Sequence, residues 1–253
     1  MPSLYIQITT RCNMRCPHCC FSCGAHGQHM SREHMVAVLQ LIREDAESMY
    51  PTIGGGEPTL HPDCIQFVKW VAEECESQSY GAGAPVVGIV TNGSRTKQAI
   101  ELAKLAREGT ISARLSYDAY HDLSKVDKRV WKAFQAKYDD EIFPEEGEAS
   151  NEDSRAMNNY EYFITPHGRA IKNGLANHPL FKKDACCCDG LFITPDGTIW
   201  QCGCRKAVIG HLDALSAFWS MYHANLNEDG ELPCSKKHKL QIPLPEPFQL
   251  EMA

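Results

Sequence analysis

The chain has 253 residues, a formal net charge of −7 and 13 cysteines. This length allows one large α/β domain, or a medium domain with a small appendage, and the acidic balance argues against nucleic acid as a partner. The sequence has no basic and apolar leader and no apolar run near the ~20 residues of a membrane span, so we expect a cytoplasmic protein with no membrane partner.

Strand-like and helix-like stretches alternate through the first two thirds of the chain. Ser31 is a suitable N-cap for the first helix, and Gly109 follows the third. The strands are predicted at 4–9, 51–53, 85–90, 111–116 and 160–165, and the helices at 31–50, 61–76, 98–107 and 125–138.

This repeating order predicts a parallel sheet covered by helices, with the chemistry at the carboxyl ends of the strands. We expect an α/β fold, a partial (β/α)6 TIM-like barrel. One strand is expected to be degenerate, because 138–159 shows no clear βα unit. The acidic stretch at about 139–158 is read as an insertion, either a lid over the site or a solvated excursion.

A change of pattern places a domain boundary near residue 182. Residues 1–181 form the expected core, and 182–253 form a small cysteine-rich C-terminal domain and tail. Within the second region we expect a hairpin, with strands at 191–193 and 198–201 joined by the turn Pro195-Asp196-Gly197, and then a short helix at 212–222.

The cysteines fall into two groups, and in a protein without a leader such groups indicate metal ligands or redox thiols rather than disulfides. Cys64 and Cys75 stand apart from both groups and are expected in the core. In the first group, Cys12, Cys16 and Cys19 follow the first strand directly. An iron-sulfur cluster held by three cysteines leaves one iron open to a small molecule. Zinc is the alternative, with His18, Cys20 and Cys23 as further ligands.

Four motifs in this order resemble the radical S-adenosylmethionine (SAM) superfamily, and the similarity covers roughly residues 3–170. The superfamily signature is Cys-x3-Cys-x2-Cys with an aromatic residue before the last cysteine, a place taken here by His18. The further motifs are Gly54-Gly55-Gly56-Glu57-Pro58, Thr91-Asn92-Gly93 and Ser116-x-Asp118.

The resemblance implies a [4Fe-4S] cluster on Cys12, Cys16 and Cys19, with the amino and carboxylate groups of SAM on the open iron. Gly54, Gly55 and Gly56 would let the backbone approach SAM closely, and Glu57 would accept from its ammonium group. Ser116 and a basic residue on the following helix would face the carboxylate. That basic residue is Arg129, with Lys128 as the alternative. The expected contacts to the ribose hydroxyls are Thr91, Asn92 and Asp118.

The second cysteine group resembles the opening of the SPASM/twitch extensions of that superfamily, which bind an auxiliary [4Fe-4S] cluster. Because the longer cysteine series of a full SPASM domain is missing, one cluster of the twitch type fits better. Zinc at this position is the alternative. The candidate ligands are Cys187, Cys188, Cys202, Cys204 and Cys234, with Cys186 as a further possibility.

The implied function is reductive cleavage of SAM to a 5′-deoxyadenosyl radical that abstracts hydrogen from a substrate carbon. An electron donor such as flavodoxin or ferredoxin is the implied partner. The expected reaction is an oxidative or bond-forming modification of a peptide or protein, with a small molecule or nucleotide as the alternative substrate. A hypothesis of another class is a non-catalytic iron-sulfur or zinc binding module, which would have no use for Gly54–Glu57.

Overall fold

The computed structural model describes residues 3–44, 50–77, 87–135, 157–158, 167–175, 190–205 and 207–224. Strands and helices alternate in these residues as the sequence predicts. The strands are β1 (Ser3–Thr9), β2 (Tyr50–Gly55), β3 (Gly88–Thr91), β4 (Ser112–Ser116), β5 (Met157–Asn158), β6 (Gly190–Ile193), β7 (Thr198–Trp200) and β8 (Val208–His211). The helices are α1 (Arg32–Glu44), α2 (Cys64–Ser77), α3 (Thr96–Arg107), α4 (Lys128–Gln135), α5 (Gly168–Lys172) and α6 (Leu215–Ala224).

The described strands form one eight-stranded sheet in the order β5-β4-β3-β2-β1-β6-β7-β8. All pairs from β5 to β6 are parallel, and β7 and β8 add antiparallel strands at one side. The predicted α/β class with a six-stranded parallel sheet is therefore confirmed. Parallel strands bring their carboxyl ends to one rim, so the segments after β1, β2, β3 and β4 can share a site.

Strand β1 lies in the interior of the sheet, between β2 and β6. Its apolar residues Leu4, Ile6 and Ile8 are completely buried, and so are the polar residues Gln7 and Thr9. Burial on both faces is typical of a strand in a parallel sheet whose two faces are both covered.

Helix α1 packs on the core through a stripe of apolar side chains at helical spacing. The amide of His34 donates to Oγ of Ser31 at 3.1 Å, which confirms the predicted N-cap. Four residues of the stripe are buried: Met35, Val38, Leu41 and Ile42. Among the described residues, no helix is long and apolar enough to cross a membrane.

A single hydrophobic core joins the first strands to the C-terminal hairpin. Leu191 and Ile193 of β6, Ile199 of β7 and Phe218 of α6 belong to the same buried cluster as Leu4 of β1. The predicted hairpin is confirmed, since β6 and β7 pair antiparallel around the turn Pro195-Asp196-Gly197. Gly197 has φ +88° in this turn, a conformation that favours glycine.

The structure differs from the sequence prediction at a few elements. The degenerate strand is β5, two residues long. Helix α4 begins at Lys128, because Oδ1 of Asp127 accepts from the amide of Arg129 at 2.8 Å and caps the helix there. Strand β8 was not predicted. The predicted strand at 160–165, most of the acidic insertion and the boundary near 182 lie outside the described residues, so the two-domain division stays a prediction.

Candidate functional site

A cavity of about 280 Å³ opens at the carboxyl ends of the parallel strands. Its wall contains parts of the loop after β1, the glycine segment after β2, and the ends of β3 and β4. The lining residues are Tyr5, Cys12, Cys16, His18, Cys19, Cys20, Phe21, Gly55, Gly56, Glu57, Val90, Asn92, Ser116, His121 and Arg169. The structure thus brings together the three signature cysteines and parts of all three further motifs.

The cysteine loop after β1 is closed by backbone hydrogen bonds. The amide of Cys12 donates to the carbonyl of Gly24 at 2.7 Å, and the amide of Cys19 donates to the carbonyl of Cys16 at 3.2 Å. Cys12 and Cys16 are each 9% exposed, in a small apolar cluster with Met14. The loop therefore presents thiols from a folded segment to the cavity.

The thiols of this loop differ in acidity. Burial raises the pKa of Cys12 to about 11. A hydrogen bond from Cys23 lowers the pKa of Cys19 to about 5, and the same bond raises the pKa of Cys23. Metals bind thiolates, so Cys19 is better prepared than Cys12 to bind a metal in the free protein, and a metal would have to displace a proton from Cys12.

The glycine segment after β2 docks against the chain that leaves β1. The amide of Gly56 donates to the carbonyl of Thr9 at 2.8 Å, and the amide of Glu57 donates to the carbonyl of Arg11 at 2.8 Å. A Cβ on Gly56 would overlap the carbonyl oxygen of Arg11, and one on Gly54 would overlap the hydroxyl of Tyr5. These glycines are needed for this close packing, whatever they do for a ligand.

Glu57 ties the end of β2 to the end of β3. Its Oε1 accepts from the amide and hydroxyl of Thr59 and from the hydroxyl of Thr91, and its Oε2 accepts from the amide of Asn92 at 2.7 Å. Burial raises the pKa of this carboxyl group above its usual range, and the hydrogen bonds oppose that rise. Glu57 lines the cavity, but both of its carboxylate oxygens already accept hydrogen bonds from Thr59, Thr91 and Asn92.

The two residues at the end of β3 have different surroundings. The hydroxyl of Thr91 is engaged inside the protein, because it donates to Glu57 and accepts from the amide of Gly93 at 3.1 Å. Asn92 reaches the cavity, where its Nδ2 donates to Oδ1 of Asn13 at 3.1 Å and lies 4.0 Å from Sγ of Cys12. Of the two, only Asn92 is among the cavity-lining residues of the described chain.

The carboxylate of Asp118 faces two histidines, and no motif in the sequence predicts this contact. Its carboxylate oxygens lie 2.8 Å from Nδ1 of His121 and 3.9 Å from Nε2 of His18. The side chain of Asp118 is fully buried, and Asp118 is not among the described residues that line the cavity. Its expected contact to a ribose is not supported by this placement. His121, three residues later, lines the cavity instead.

Among the described residues, the arginine that lines the cavity is Arg169 and not Arg129. Arg129 is 73% exposed and pairs with Asp127 at 2.7 Å on the surface, so this placement does not support its expected contact to a carboxylate. Arg169 of α5 lines the cavity, where its Nε donates to the carbonyl of Cys16 at 3.0 Å and its Nη1 to that of Cys23 at 2.7 Å. The sequence signal that could have identified Arg169 is its position shortly after the strand predicted at 160–165.

Part of the second cysteine group lies on the turn after β7. The sulfur atoms of Cys202 and Cys204 are 2.8 Å apart, and Cys202 is buried. The other candidate ligands, Cys186, Cys187, Cys188 and Cys234, lie outside the described residues. The predicted auxiliary site therefore stays a prediction.

A family model described as the Radical SAM superfamily matches residues 6–141, more than half of the chain. The chain belongs to the radical SAM superfamily. The predicted resemblance is confirmed at this level.

One curated relative of this radical SAM protein is Mycofactocin maturase MftC of Mycobacterium ulcerans. It is 31% identical over 116 residues, which are 44% of this chain and 28% of MftC. The matched part spans between 21% and 28% of the length of the curated relatives.

Two solved radical SAM structures share the fold. BtrN in complex with AdoMet and 2-DOIA is 17% identical, with a TM-score of 0.55 over 87% of this chain and 82% of BtrN. The anSMEcpe structure with bound AdoMet and Cp18Cys peptide is 15% identical, with a TM-score of 0.50 over 85% of this chain and 78% of that one. At these identities the likeness concerns the fold alone.

Membership of this superfamily implies a [4Fe-4S] cluster and SAM. The residues present fit these groups. Cys12, Cys16 and Cys19 offer thiols to one cavity, Gly55 and Gly56 form a part of its wall without side chains, and Arg169 brings a cation. The cavity thus combines ligands for iron with groups suited to a charged amino acid.

Proposed function

We propose that Cys12, Cys16 and Cys19 hold the [4Fe-4S] cluster and that the cavity beside them binds SAM. When bound, these groups supply reductive cleavage of SAM to methionine and a 5′-deoxyadenosyl radical, which takes a hydrogen atom from a substrate carbon. The electron comes from a donor such as flavodoxin or ferredoxin. The observation that carries this proposal is that three thiols and the glycine wall share one cavity.

The chain's own residues bind and orient SAM in this proposal. The backbone of Gly55 and Gly56 leaves room for the methionine part. The positive guanidinium of Arg169 attracts the carboxylate of SAM. Its bonds to the carbonyls of Cys16 and Cys23 use only two of its five N–H donors, so it can still donate to this carboxylate. Ser116 and Asn92 offer polar groups from neighbouring strand ends. Glu57 holds the ends of β2 and β3 in place around the ligand.

We propose a peptide or protein as the substrate and an oxidative or bond-forming modification as the reaction. The anSMEcpe structure of the same fold contains a bound peptide, which supports this choice. BtrN contains 2-DOIA, and so a small molecule is the alternative substrate.

The proposed reaction needs an acceptor for the electron that the substrate radical gives up. An auxiliary cluster on Cys202, Cys204 and the cysteines at 187, 188 and 234 would provide it. The turn that carries Cys202 and Cys204 packs near Phe192, since a Cβ on Gly203 would lie 3.7 Å from that ring. Phe192 stacks on Tyr5, a cavity-lining residue, with ring centroids 5.1 Å apart. This short aromatic connection supports a second cluster beside the cavity.

A zinc site is the second candidate for the cysteine loop. Sγ of Cys16 and ring nitrogens of His18 and His121 lie within 4.8 Å of one another, close enough to share one ion. Zinc accepts such a mixture of sulfur and nitrogen ligands. Metal analysis after anaerobic purification separates the two candidates, because the proposed enzyme contains iron and sulfide and the zinc module contains neither.

The proposal is tested by anaerobic reconstitution with iron and sulfide, followed by reduction in the presence of SAM and an assay for 5′-deoxyadenosine. Cys16→Ala is expected to abolish the product and to lower the iron content while the chain stays folded. Cys64→Ala is the matched control, since Cys64 is buried in the core on α2. Product formation at the wild-type rate by Cys16→Ala would remove this assignment.

The auxiliary cluster has its own test. The intact reconstituted protein is expected to hold about eight irons, and Cys202→Ala with Cys204→Ala about four. Four irons in the intact protein would argue against the auxiliary cluster and leave the SAM cluster unaffected.

A further inference from the structure

Three side chains of metal-binding type meet at a place outside the cavity. They are His34 on α1, His211 at the end of β8 and Asp213 on the turn that follows. Nε2 of His34 is 3.4 Å from Oδ1 of Asp213, and Nδ1 of His211 is 3.4 Å from Oδ2. A tetrahedral zinc ion with bonds of about 2.0–2.1 Å places neighbouring ligand atoms about 3.4 Å apart. These two distances end on different oxygens of Asp213. One ligand atom from each of the three residues can be chosen so that all three lie within 4.8 Å of one another, close enough to share a single ion.

The outer nitrogen of each ring is held by a backbone carbonyl. Nδ1 of His34 lies 3.2 Å from the carbonyl oxygen of Pro195, and Nε2 of His211 lies 2.8 Å from that of Asp196. A carbonyl can only accept, so the proton of each neutral ring is on this outer nitrogen. The inner nitrogens, which face Asp213, then carry the lone pairs that a metal uses. Histidines that bind metals are commonly oriented in this way.

A second observation concerns the lone pair of His211. Its Nδ1 accepts from the amide of Asp213 at 3.2 Å, which requires the same tautomer that the carbonyl of Asp196 imposes. An ion bound between the rings would be coordinated by this lone pair of Nδ1, and the hydrogen bond from the amide of Asp213 would be replaced by the bond to the metal.

The space between the two rings is kept by a glycine. A Cβ on Gly197 would lie 2.8 Å from Nε2 of His34 and 2.8 Å from Cε1 of His211. The site is also open to solvent, because the side chain of Asp213 is 67% exposed and that of His34 is 19% exposed. An ion can enter, and water can occupy a fourth position.

We propose that His34, His211 and Asp213 bind a divalent transition metal ion, with zinc the best match, and a water molecule as fourth ligand. Two imidazoles and one carboxylate suit zinc better than magnesium or calcium, which prefer oxygen ligands throughout. The ion joins α1 to the end of β8 and to the turn that follows β8. This proposal does not depend on the iron-sulfur clusters, since its ligands contain no thiol.

The test uses the full chain with its clusters reconstituted, then incubated with zinc chloride and freed of unbound ion. Zinc and iron are counted for the wild type, His34→Gln, Asp213→Asn and His223→Gln. His223 is an exposed histidine on α6 and serves as the matched control. Zinc X-ray absorption spectroscopy then reports the ligand type, because nitrogen and oxygen lie at about 2.0–2.1 Å and sulfur at about 2.3 Å.

We expect one zinc per chain with nitrogen and oxygen ligands in the wild type and in His223→Gln. His34→Gln and Asp213→Asn should each weaken zinc binding at least about tenfold, since even the loss of an outer partner has that effect. Their iron content should not change. Asp213→Asn alters an exposed side chain, so its effect does not depend on misfolding. Wild-type zinc binding in both variants, or a zinc bound through sulfur only, would overturn the proposal.

Discussion

At the scale of single residues, Asp118 and His121 form a charged pair beside the cysteine loop. Burial alone would raise the pKa of Asp118, but the hydrogen bond from His121 keeps it below its usual range. Burial would also lower the pKa of His121, yet its bonds to Asp118 and Cys16 raise it to about 9. Both groups are therefore charged around neutral pH in the folded chain.

This pair predicts a pH-dependent stability of the metal-free protein. The contribution of His121 is complete below its unfolded pKa near 6.5 and is lost as the pH rises through about 9. The contribution of Asp118 is present above its unfolded pKa near 3.8 and is lost as the pH falls. Asp118→Asn should therefore lower the free energy of unfolding by about 3 kcal/mol at pH 6, and much less at pH 10.

Urea unfolding of chelator-treated wild type and Asp118→Asn at the two pH values measures this difference. An equal loss at pH 6 and pH 10 would contradict the charged pair.

Gly56 allows a direct test of the close packing at the glycine segment. Gly56→Ala should displace the loop after β1, because a Cβ there would overlap the carbonyl of Arg11. We expect loss of most of the reconstituted iron and a lower melting temperature. Gly24→Ala is the matched control, since Gly24 is in the same loop and a Cβ on it would meet nothing within 4 Å. Equal iron content in the two variants would show that the packing is not needed.

The sequence predicts the part of the candidate site that is built from residues close together in the chain. It does not predict contacts between residues that are far apart in the chain. Cys12, Cys16 and Cys19 are close in sequence, and the glycine segment stands at a strand end, so local pattern indicates both. Arg169 contacts the carbonyl of Cys16 across 153 positions, and no local pattern reports such a contact. The sequence prediction of Arg129 rests on its place on the helix after β4, but Asp127 caps that helix and holds the guanidinium at the surface.

At the scale of secondary-structure elements, α5 docks on the cysteine loop. The amide of Arg169 donates to the carbonyl of Cys19 at 2.9 Å, and Nδ2 of Asn173 donates to that of Pro17 at 2.9 Å. Gly168 packs so closely that a Cβ would lie 2.5 Å from the carbonyl oxygen of Cys20. This short helix thus supports the part of the loop around Pro17, Cys19 and Cys20, whereas the glycine segment contacts Thr9 and Arg11.

Arg169→Ala tests this support together with the proposed contact to SAM. The variant should release iron faster to a chelator, because two loop carbonyls lose their donors, and should bind SAM more weakly by about 1.5–3 kcal/mol. Arg129→Ala should change neither property, since Arg129 is at the surface. Chelator kinetics and anaerobic calorimetry provide the two measurements. Weaker SAM binding in Arg129→Ala, with normal binding in Arg169→Ala, would restore the sequence-based assignment.

The elements themselves were predictable where their signals are local. The apolar period and the cap at Ser31 predicted α1, and the Pro195-Asp196-Gly197 turn predicted the hairpin. The order of strands and helices predicted the parallel sheet. Strand β5 has two residues, too few for a periodic pattern. Strand β8 exists because its backbone pairs with β7, a tertiary contact that propensity does not determine.

At the scale of the whole molecule, the hairpin is part of the main sheet rather than an addition to it. Strand β6 pairs with β1 from Ser3↔Gly190 to Ile6↔Ile193, and its apolar residues fill the common core. Removal of the chain after residue 182 would leave one side of β1 unpaired and expose apolar surface.

The truncated chain 1–182 is therefore expected to aggregate, whereas the full chain stays dispersed under the same conditions. Size-exclusion chromatography with light scattering measures the difference. A monomeric truncated chain that reconstitutes about four irons would instead support the division into two domains that fold separately.

The pairing of β1 with β6 also has a consequence for folding during synthesis. Strand β1 is complete at Thr9, but one of its two neighbours begins at Gly190. A ribosome adding about 5–20 residues per second needs roughly 10–40 s to cover that interval. Throughout this time one edge of β1 stays unpaired, although β2 can cover the other edge once the chain has passed Gly55. The apolar side chains of β1, which are fully buried in the folded chain, are then covered only in part. Nascent chains of this protein are therefore expected to need a chaperone until β6 has left the ribosome.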